Sequence, residues 1–211
     1  MEIHPPTKPV ESVKDFFIHL SMITTGILIA LGLEQTVEAW HHHELGVEAR
    51  DNIISEIRDN KKEIDGERVL IKQNREKLQH TWDTVRQFIA HKKLSHAEMN
   101  IQVNAATLNS ASWTTAEATG ALGYMGYETA KKFAPVYDLQ TLLQRFQEEQ
   151  CRTASNAMAP VANMQGGPET LSDDQLRAIE RDVLTCLSDV NMWDQLAAQL
   201  TDGYARALKG Q

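Results

Sequence analysis

Phe16-Phe17-Ile18-His19-Leu20-Ser21-Met22-Ile23-Thr24-Thr25-Gly26-Ile27-Leu28-Ile29-Ala30-Leu31-Gly32-Leu33 decides how the rest of the chain is read. It holds no acid, lysine or arginine, and Asp15 and Glu34 bound it. At about 1.5 Å per residue a helix of this length spans nearly the whole of a bilayer's hydrocarbon core, about 30 Å thick. The expectation is a transmembrane helix over 16–33. A secretory leader would have a shorter apolar run and a more basic start, although Ala30-Leu31-Gly32 offers a small-residue cleavage site. A buried helix of a soluble protein would not be apolar on every side.

Before this segment lies a short tail, 1–15, with Pro5, Pro6 and Pro9. Lys8 and Lys14 precede the helix, and within twenty residues after it only Arg50 is basic. By the positive-inside rule the tail is cytoplasmic and the remainder lies outside. His19 is one turn inside the apolar run and near enough to its end to reach the interface.

Nothing breaks the helix after Leu33. No proline occurs from 10 to 134, and Gly46 and Gly66 are the only glycines from 34 to 93. Strong helix formers fill the stretch, so the membrane helix is expected to continue into water as a long juxtamembrane helix over 34–93. Ile57, Ile64, Ile71, Leu78 and Val85 recur every seven residues. Their companions in a 3-4 heptad are Ile53, Asn60, Glu67, Asn74, Thr81 and Phe88, which are partly polar. A sustained seven-residue repeat calls for a partner helix with left-handed crossing, and polar seam residues such as Asn60 and Asn74 suit a role in register or oligomer number. The five apolar positions are association candidates, facing either a second chain or another helix of the same chain. Gly66 is a possible kink or break.

The remaining 94–211 read as a C-terminal helical bundle. Ser95-His96-Ala97-Glu98 and Thr114-Thr115-Ala116-Glu117 both have the form of a capping box. Gly120, Gly123 and Gly126 make either a glycine stripe on a helix or a loop. Leu139, Leu143, Phe146, Ala154, Ala157 and Val161 share one helix face, with Pro135 as a kink or a helix start. Gln165-Gly166-Gly167-Pro168 reads as a turn. Ser172 is an N-cap, with Gln175 at N3 and Leu171 and Leu176 placed for a hydrophobic staple. No segment alternates with period two, so the fold class is all-α.

The passage Gly26-Ile27-Leu28-Ile29-Ala30-Leu31, followed by Glu34 and then Trp40, resembles a group of bacterial single-pass membrane proteins of unknown function. They combine a "GILIAL"-type membrane helix with a helical soluble part. The likeness covers residues 12–64. It implies a bacterial membrane location and says nothing of an activity, and the tail here is less basic than in many of those proteins, which weakens the charge signal for orientation.

Residues that carry chemistry are sparse. Glu34, Glu38 and His42 fall at i, i+4, i+8, a spacing at which carboxylates and imidazole chelate zinc, copper, nickel or iron. Against this, no third and fourth ligands can be assigned, and such residues also suit a helix emerging among head groups. No serine sits in a G-x-S-x-G elbow, and no triad is apparent, so no enzyme is expected. No cofactor is implied. A net charge of −8 argues against a nucleic-acid partner. Trp40 suits an interfacial belt, and Trp82, Trp113 and Trp193 suit core positions.

Cys151 and Cys186 lie symmetrically about the expected 166–168 turn, which places them at similar height on neighbouring helices. A disulfide outside the cytoplasm and a pair of free thiols are both open. The partners expected are the lipid bilayer and either further copies of the chain or a larger membrane complex. Two function classes follow: a membrane-anchored scaffold or accessory subunit, and an extracytoplasmic helical sensor or ligand-binding module that relays through a partner.

Overall fold

The computed structural model describes residues 12–91, 105–162 and 170–210. The side chains of His91, Val161 and Ala162 lie outside that description, as do the tail 1–11, the Ser95–Glu98 box and the expected 165–168 turn. The protein is all-α. Among the described residues four helices follow in order: α1 (Val13–His91), α2 (Ala111–Ala118), α3 (Tyr127–Ala162) and α4 (Asp173–Ala207), with a 3-10 turn at Ala121–Gly123 before α3. No strand occurs among the described residues.

Helix α1 has 79 residues, which at 1.5 Å each is about 120 Å. It runs through Gly66 without a break. A methyl group added there would meet nothing within 4 Å, so Gly66 is a surface position of a helix held by its neighbours.

Side-chain bonds fix the directions of the bundle. Tyr137 and Gln140 of α3 reach Glu56 and Asn60 of α1 at 2.7 and 3.2 Å, so numbers rise together and the two helices run parallel. Asp194 and Thr201 of α4 reach Arg68 and Asp65 of α1 at 3.0 and 3.1 Å, so α4 runs antiparallel to both.

Burial follows one rule on all three helices. On α1, Ile53, Ile57, Asn60, Ile64, Glu67, Ile71, Asn74, Leu78, Thr81, Val85 and Phe88 are all buried, and they alternate by steps of three and four. On α3 the same steps pick out Phe133, Val136, Gln140, Leu143, Gln147, Gln150, Ala154 and Ala157. On α4 they pick out Leu176, Ile179, Val183, Cys186, Val190, Trp193, Ala197, Leu200, Tyr204 and Ala207. Each buried Ile or Leu contributes about 1.5–3 kcal/mol over exposure. The apolar α1 positions Ile57, Ile64, Ile71, Leu78 and Val85 are therefore filled from within the chain, by α4 and its neighbours. Of the two covers left open for this repeat, the structure shows another helix of the same chain.

The division of the chain shifts accordingly. Leu45 is half-buried and Gly46 buried, whereas nearly all of α1 before them is exposed. The boundary between the bare apolar segment and the bundle thus falls inside α1, and most of its residues after 44 belong to the bundle. Ser172 caps α4 as its sequence foretells: its hydroxyl accepts from the Gln175 amide at 3.2 Å, and its own amide donates to Gln175 Oε1 at 2.9 Å. The other described box differs. Helix α2 begins at Ala111, so Thr114–Glu117 lies inside it, and Ser110 at the N-cap makes no side-chain cap. The glycine stripe is a loop: Gly120 and Gly126 have φ of 75° and 87°, a region that favours glycine. Pro135 sits within α3, which starts at Tyr127.

Candidate functional site

The N-terminal part of α1 is the part of the described structure without a cover. Its most apolar 18-residue window has a mean hydropathy of 2.0, and none of that window is buried. Within it the side-chain polar groups turn back onto the helix. Ser21 and Thr24 hydroxyls donate to the carbonyls of Ile18 and Leu20 at 2.9 and 2.8 Å, and the His19 ring meets the Asp15 carbonyl at 2.8 Å. Such bonds satisfy groups that lipid could not. The helix is long and apolar enough to cross a membrane.

Just past it, Glu38 and His42 approach to 3.9 Å. Glu34 is not brought to them, and no group of three or more potential ligands forms among the described residues. His42 is occupied instead by Tyr124, with ring centroids 4.0 Å apart and planes 9° from parallel. One turn on, a Cβ at Gly46 would stand 2.5 Å from the Tyr124 carbonyl oxygen. The two contacts dock the loop before α3 onto α1, and they explain the glycine at 46. Of the three candidate ligands, His42 is thus engaged by the loop, and Glu38 stays largely exposed beside it.

Higher up, Glu56 is buried in a knot of donors. Its carboxylate accepts from the Ser112 amide at 2.8 Å, the Trp113 amide at 3.4 Å and the Tyr137 hydroxyl at 2.7 Å. The two amides belong to the first turn of α2, so a residue of α1 caps α2 from 56 positions away. Trp113 stacks on Tyr137 at 4.9 Å. Burial, then the bond to Glu56, keeps the Tyr137 phenol protonated far above its ordinary range.

Asn60, Gln140 and Tyr204 form a polar layer across α1, α3 and α4. Tyr204 donates to Gln140 Oε1 at 2.6 Å, and Asn60 Nδ2 donates to the same oxygen at 3.2 Å. Asn60 also exchanges bonds with Asn109, accepting from its amide at 2.8 Å and donating to its carbonyl at 2.6 Å. Gln144 holds the Leu108 carbonyl at 2.9 Å. The segment before α2 is thus stitched to the bundle by amide side chains. Asn60, a polar seam residue, is thus fully engaged within the chain. Asn74 Nδ2, Gln147 Nε2, Gln150 Nε2 and Glu67 Oε1 are buried without a hydrogen-bond partner among the described residues. Burial, and then Glu63, raise the Glu67 carboxyl above the usual carboxylate range.

The cysteines are not bridged. Cys151 is exposed and Cys186 buried, both as free thiols. Gln140 pairs with Tyr204, so the antiparallel register sets Cys151 across from about residue 193, two turns or about 10 Å from Cys186. Cys186 occupies a seam position, whereas Cys151 follows the seam residue Gln150 onto the outer face. The equal-height expectation assumed a symmetric hairpin, and the register is offset from one.

The fold and its bare helix define a helical-bundle protein with one helix suited to span a membrane. Compared with known protein families, with characterised proteins and with solved structures, the chain matches none.

Proposed function

We propose that this chain is a membrane-anchored helical scaffold or accessory subunit of the bacterial inner membrane, and that it acts by holding rather than by catalysing. Its tail lies in the cytoplasm and its bundle in the periplasm. The observation that carries the reading is the continuity of α1: one unbroken helix is bare and apolar at its start and forms a seam of a closed bundle from residue 45 onward. A bundle fixed this way stands at a set height above the bilayer, which suits positioning other components. The asymmetry of Lys8 and Lys14 against Arg50 supports the orientation.

The exposed Cys151 supplies a native label site on the bundle, and one cysteine added to the tail completes the test. In spheroplasts a membrane-impermeant thiol reagent should modify Cys151 and leave a Thr7→Cys variant of the tail unmodified at the added site. The reverse pattern would invert the topology. Labelling of both sites in spheroplasts, with the protein extracted by alkaline carbonate, would remove the anchor altogether.

The sensor reading draws on one feature, a groove of about 310 Å³ between α1 and α2, bordered by Leu45, Ala49, Asn52, Ser112 and Thr119. A small molecule that binds there and raises the melting temperature of the purified protein would favour it.

A further inference from the structure

We propose that two copies of this chain pair in parallel through the outer face of α1, along Gly26, Ala30, Leu33, Val37, Trp40 and Val47. The inference rests on the membrane reading above and names the partner that the bare half of α1 would take. These positions again alternate by three and four, with Glu44 filling the remaining seam place between Trp40 and Val47. They lie on the side of α1 turned away from its own bundle: Leu45, Gly46 and Ala49 face inward, while Glu44, Val47 and Glu48 are exposed.

Lipid alone does not account for this stripe. Val37, Trp40 and Val47 are 66, 66 and 42% exposed. They stand about 6, 10 and 21 Å along the helix beyond Leu33. A head-group layer adds only about 5–8 Å to each side of the hydrocarbon core, so Val47 stands clear of it. Farther on, the same face turns charged with Asp51, Arg58 and Lys62. The apolar patch is therefore bounded, and it joins the membrane segment to the first turns in water.

A second copy fits better than an unrelated helix for three reasons. A shared bilayer gives two copies the same direction and the same height, so each residue of the stripe meets its own counterpart, as a two-fold interface requires. Gly26 and Ala30 are four apart on the stripe, and small residues at that spacing let membrane helices approach closely. Beside them in water, Trp40, His43, Glu44, Val47 and Glu48 border an open concavity of about 430 Å³. In a parallel heptad pair such a space receives the side chain of the facing helix. The same register sets His43 of one copy toward Glu48 of the other, an attractive pairing at the rim. Glu44 meets its counterpart, which fixes register at a cost in stability.

The test is oxidative cross-linking of the full chain in native membranes. Cys151→Ser removes the exposed thiol, the buried Cys186 stays, and single cysteines are scanned from 30 to 48. The expected result is a dimer yield that peaks at 30, 33, 37, 40, 44 and 47, several-fold above Gln35→Cys, Glu38→Cys and Leu45→Cys. A flat profile, peaks on the bundle side, or adducts with a different protein at the stripe positions would each overturn the pairing. Carbonate extraction of the same membranes separates the two claims. Protein that stays in the pellet with a flat profile refutes the pairing alone, and protein that is released refutes the anchor as well.

Discussion

The two halves of α1 carry the same three-and-four spacing and end in opposite conditions. From residue 53 to 88 every position of the stripe is buried by the chain's own helices. From Leu33 to Val47 the apolar members of the stripe stand 42% exposed or more. A seven-residue repeat states that a helix face is built to be covered, and nothing in it names the cover. That depends on how the rest of the chain returns. Here α4 comes back along α1, and α2 and the following loop reach down as far as His42 and Gly46. Below that level no segment among the described residues covers α1.

The sharpest way to break the comparison is to place a charge in each half. Ile64 is fully buried. Ile64→Asp leaves an unpaired charge in the seam, at a cost on the order of 4–5 kcal/mol, which is comparable to the whole stability of many domains. The expected outcome is loss of the cooperative melt of the purified protein in mild detergent. Val37→Asp touches no residue of the bundle core and should leave the melt of the bundle within about 0.5 kcal/mol of the parent, while weakening the proposed pairing of two copies. Equal melts for the two variants would show that the stripes are not different in kind.

Glu56 tests the upper half from another direction, because its burial there is polar. Glu56→Ala deletes an acceptor shared by the Ser112 and Trp113 amides and the Tyr137 hydroxyl. Bonds to a charged acceptor contribute about 1.5–3 kcal/mol each in favourable cases, and buried donors left unpaired add to the loss. A destabilisation of about 2–4 kcal/mol is expected. Amide exchange should speed first in α2, whose cap is gone. Unchanged exchange there would show that α2 holds by packing alone.

These residues also mark what could be read from the chain and what could not. The long apolar start of α1, its uninterrupted course, the Ser172 cap and the apolar seam of α4 are local patterns, and the structure keeps them. The seam of α3 was harder because Gln140, Gln147 and Gln150 hold core positions, and an apolarity pattern passes over glutamine. The start of α2 was missed for a similar reason. Its cap comes from Glu56, so no local capping signal stands at Ser110, and Thr114–Glu117 imitates one. The repeat of Ile57, Ile64, Ile71, Leu78 and Val85 leaves a second chain and another helix of the same chain equally open as its cover. Which half stays bare is settled only by contacts made dozens of residues away.

Gly46 lies at the border of the two halves. Alanine is the better helix former by roughly 0.5–1 kcal/mol. Its methyl would nevertheless stand 2.5 Å from a backbone oxygen and 3.0 Å from the Met125 amide nitrogen. Backbone on both sides cannot yield as a flexible side chain would, and overpacking costs about 1–3 kcal/mol. Gly46→Ala should therefore destabilise by about 1–2 kcal/mol net and reduce the protection of Tyr124 from solvent. A rise in stability would mean that the loop gives way and that the covered half ends above His42. Gly66→Ala, with open space at its Cβ, should stabilise instead.

The cysteines carry the comparison of covered and bare surface to its smallest scale. Cys151 is exposed and Cys186 buried, so a thiol reagent should titrate one group per native chain and two after denaturation. Two fast thiols in the native protein would contradict the seam around Cys186. The buried thiol also predicts a pH dependence. Burial, then Asp189 and Asp182, push Cys186 up from 9.0 to about 11. A raised pKa in the folded state means that the native protein holds this proton more tightly than the unfolded chain does. The stability it confers is complete below pH 9, the unfolded value, and is lost as the pH climbs toward about 11. Water reaches part of the site, so the loss should be on the order of 1 kcal/mol, less than the full shift would carry. The buried Tyr204 phenol is raised as well, by burial and then Glu56, and its contribution starts to fall only above pH 10. Cys186→Ala should therefore flatten the interval between pH 9 and 10 specifically, while Cys151→Ser leaves the alkaline profile unchanged. An identical effect from both substitutions would place both thiols in solvent, and the seam of α4 would then have to be redrawn at that position.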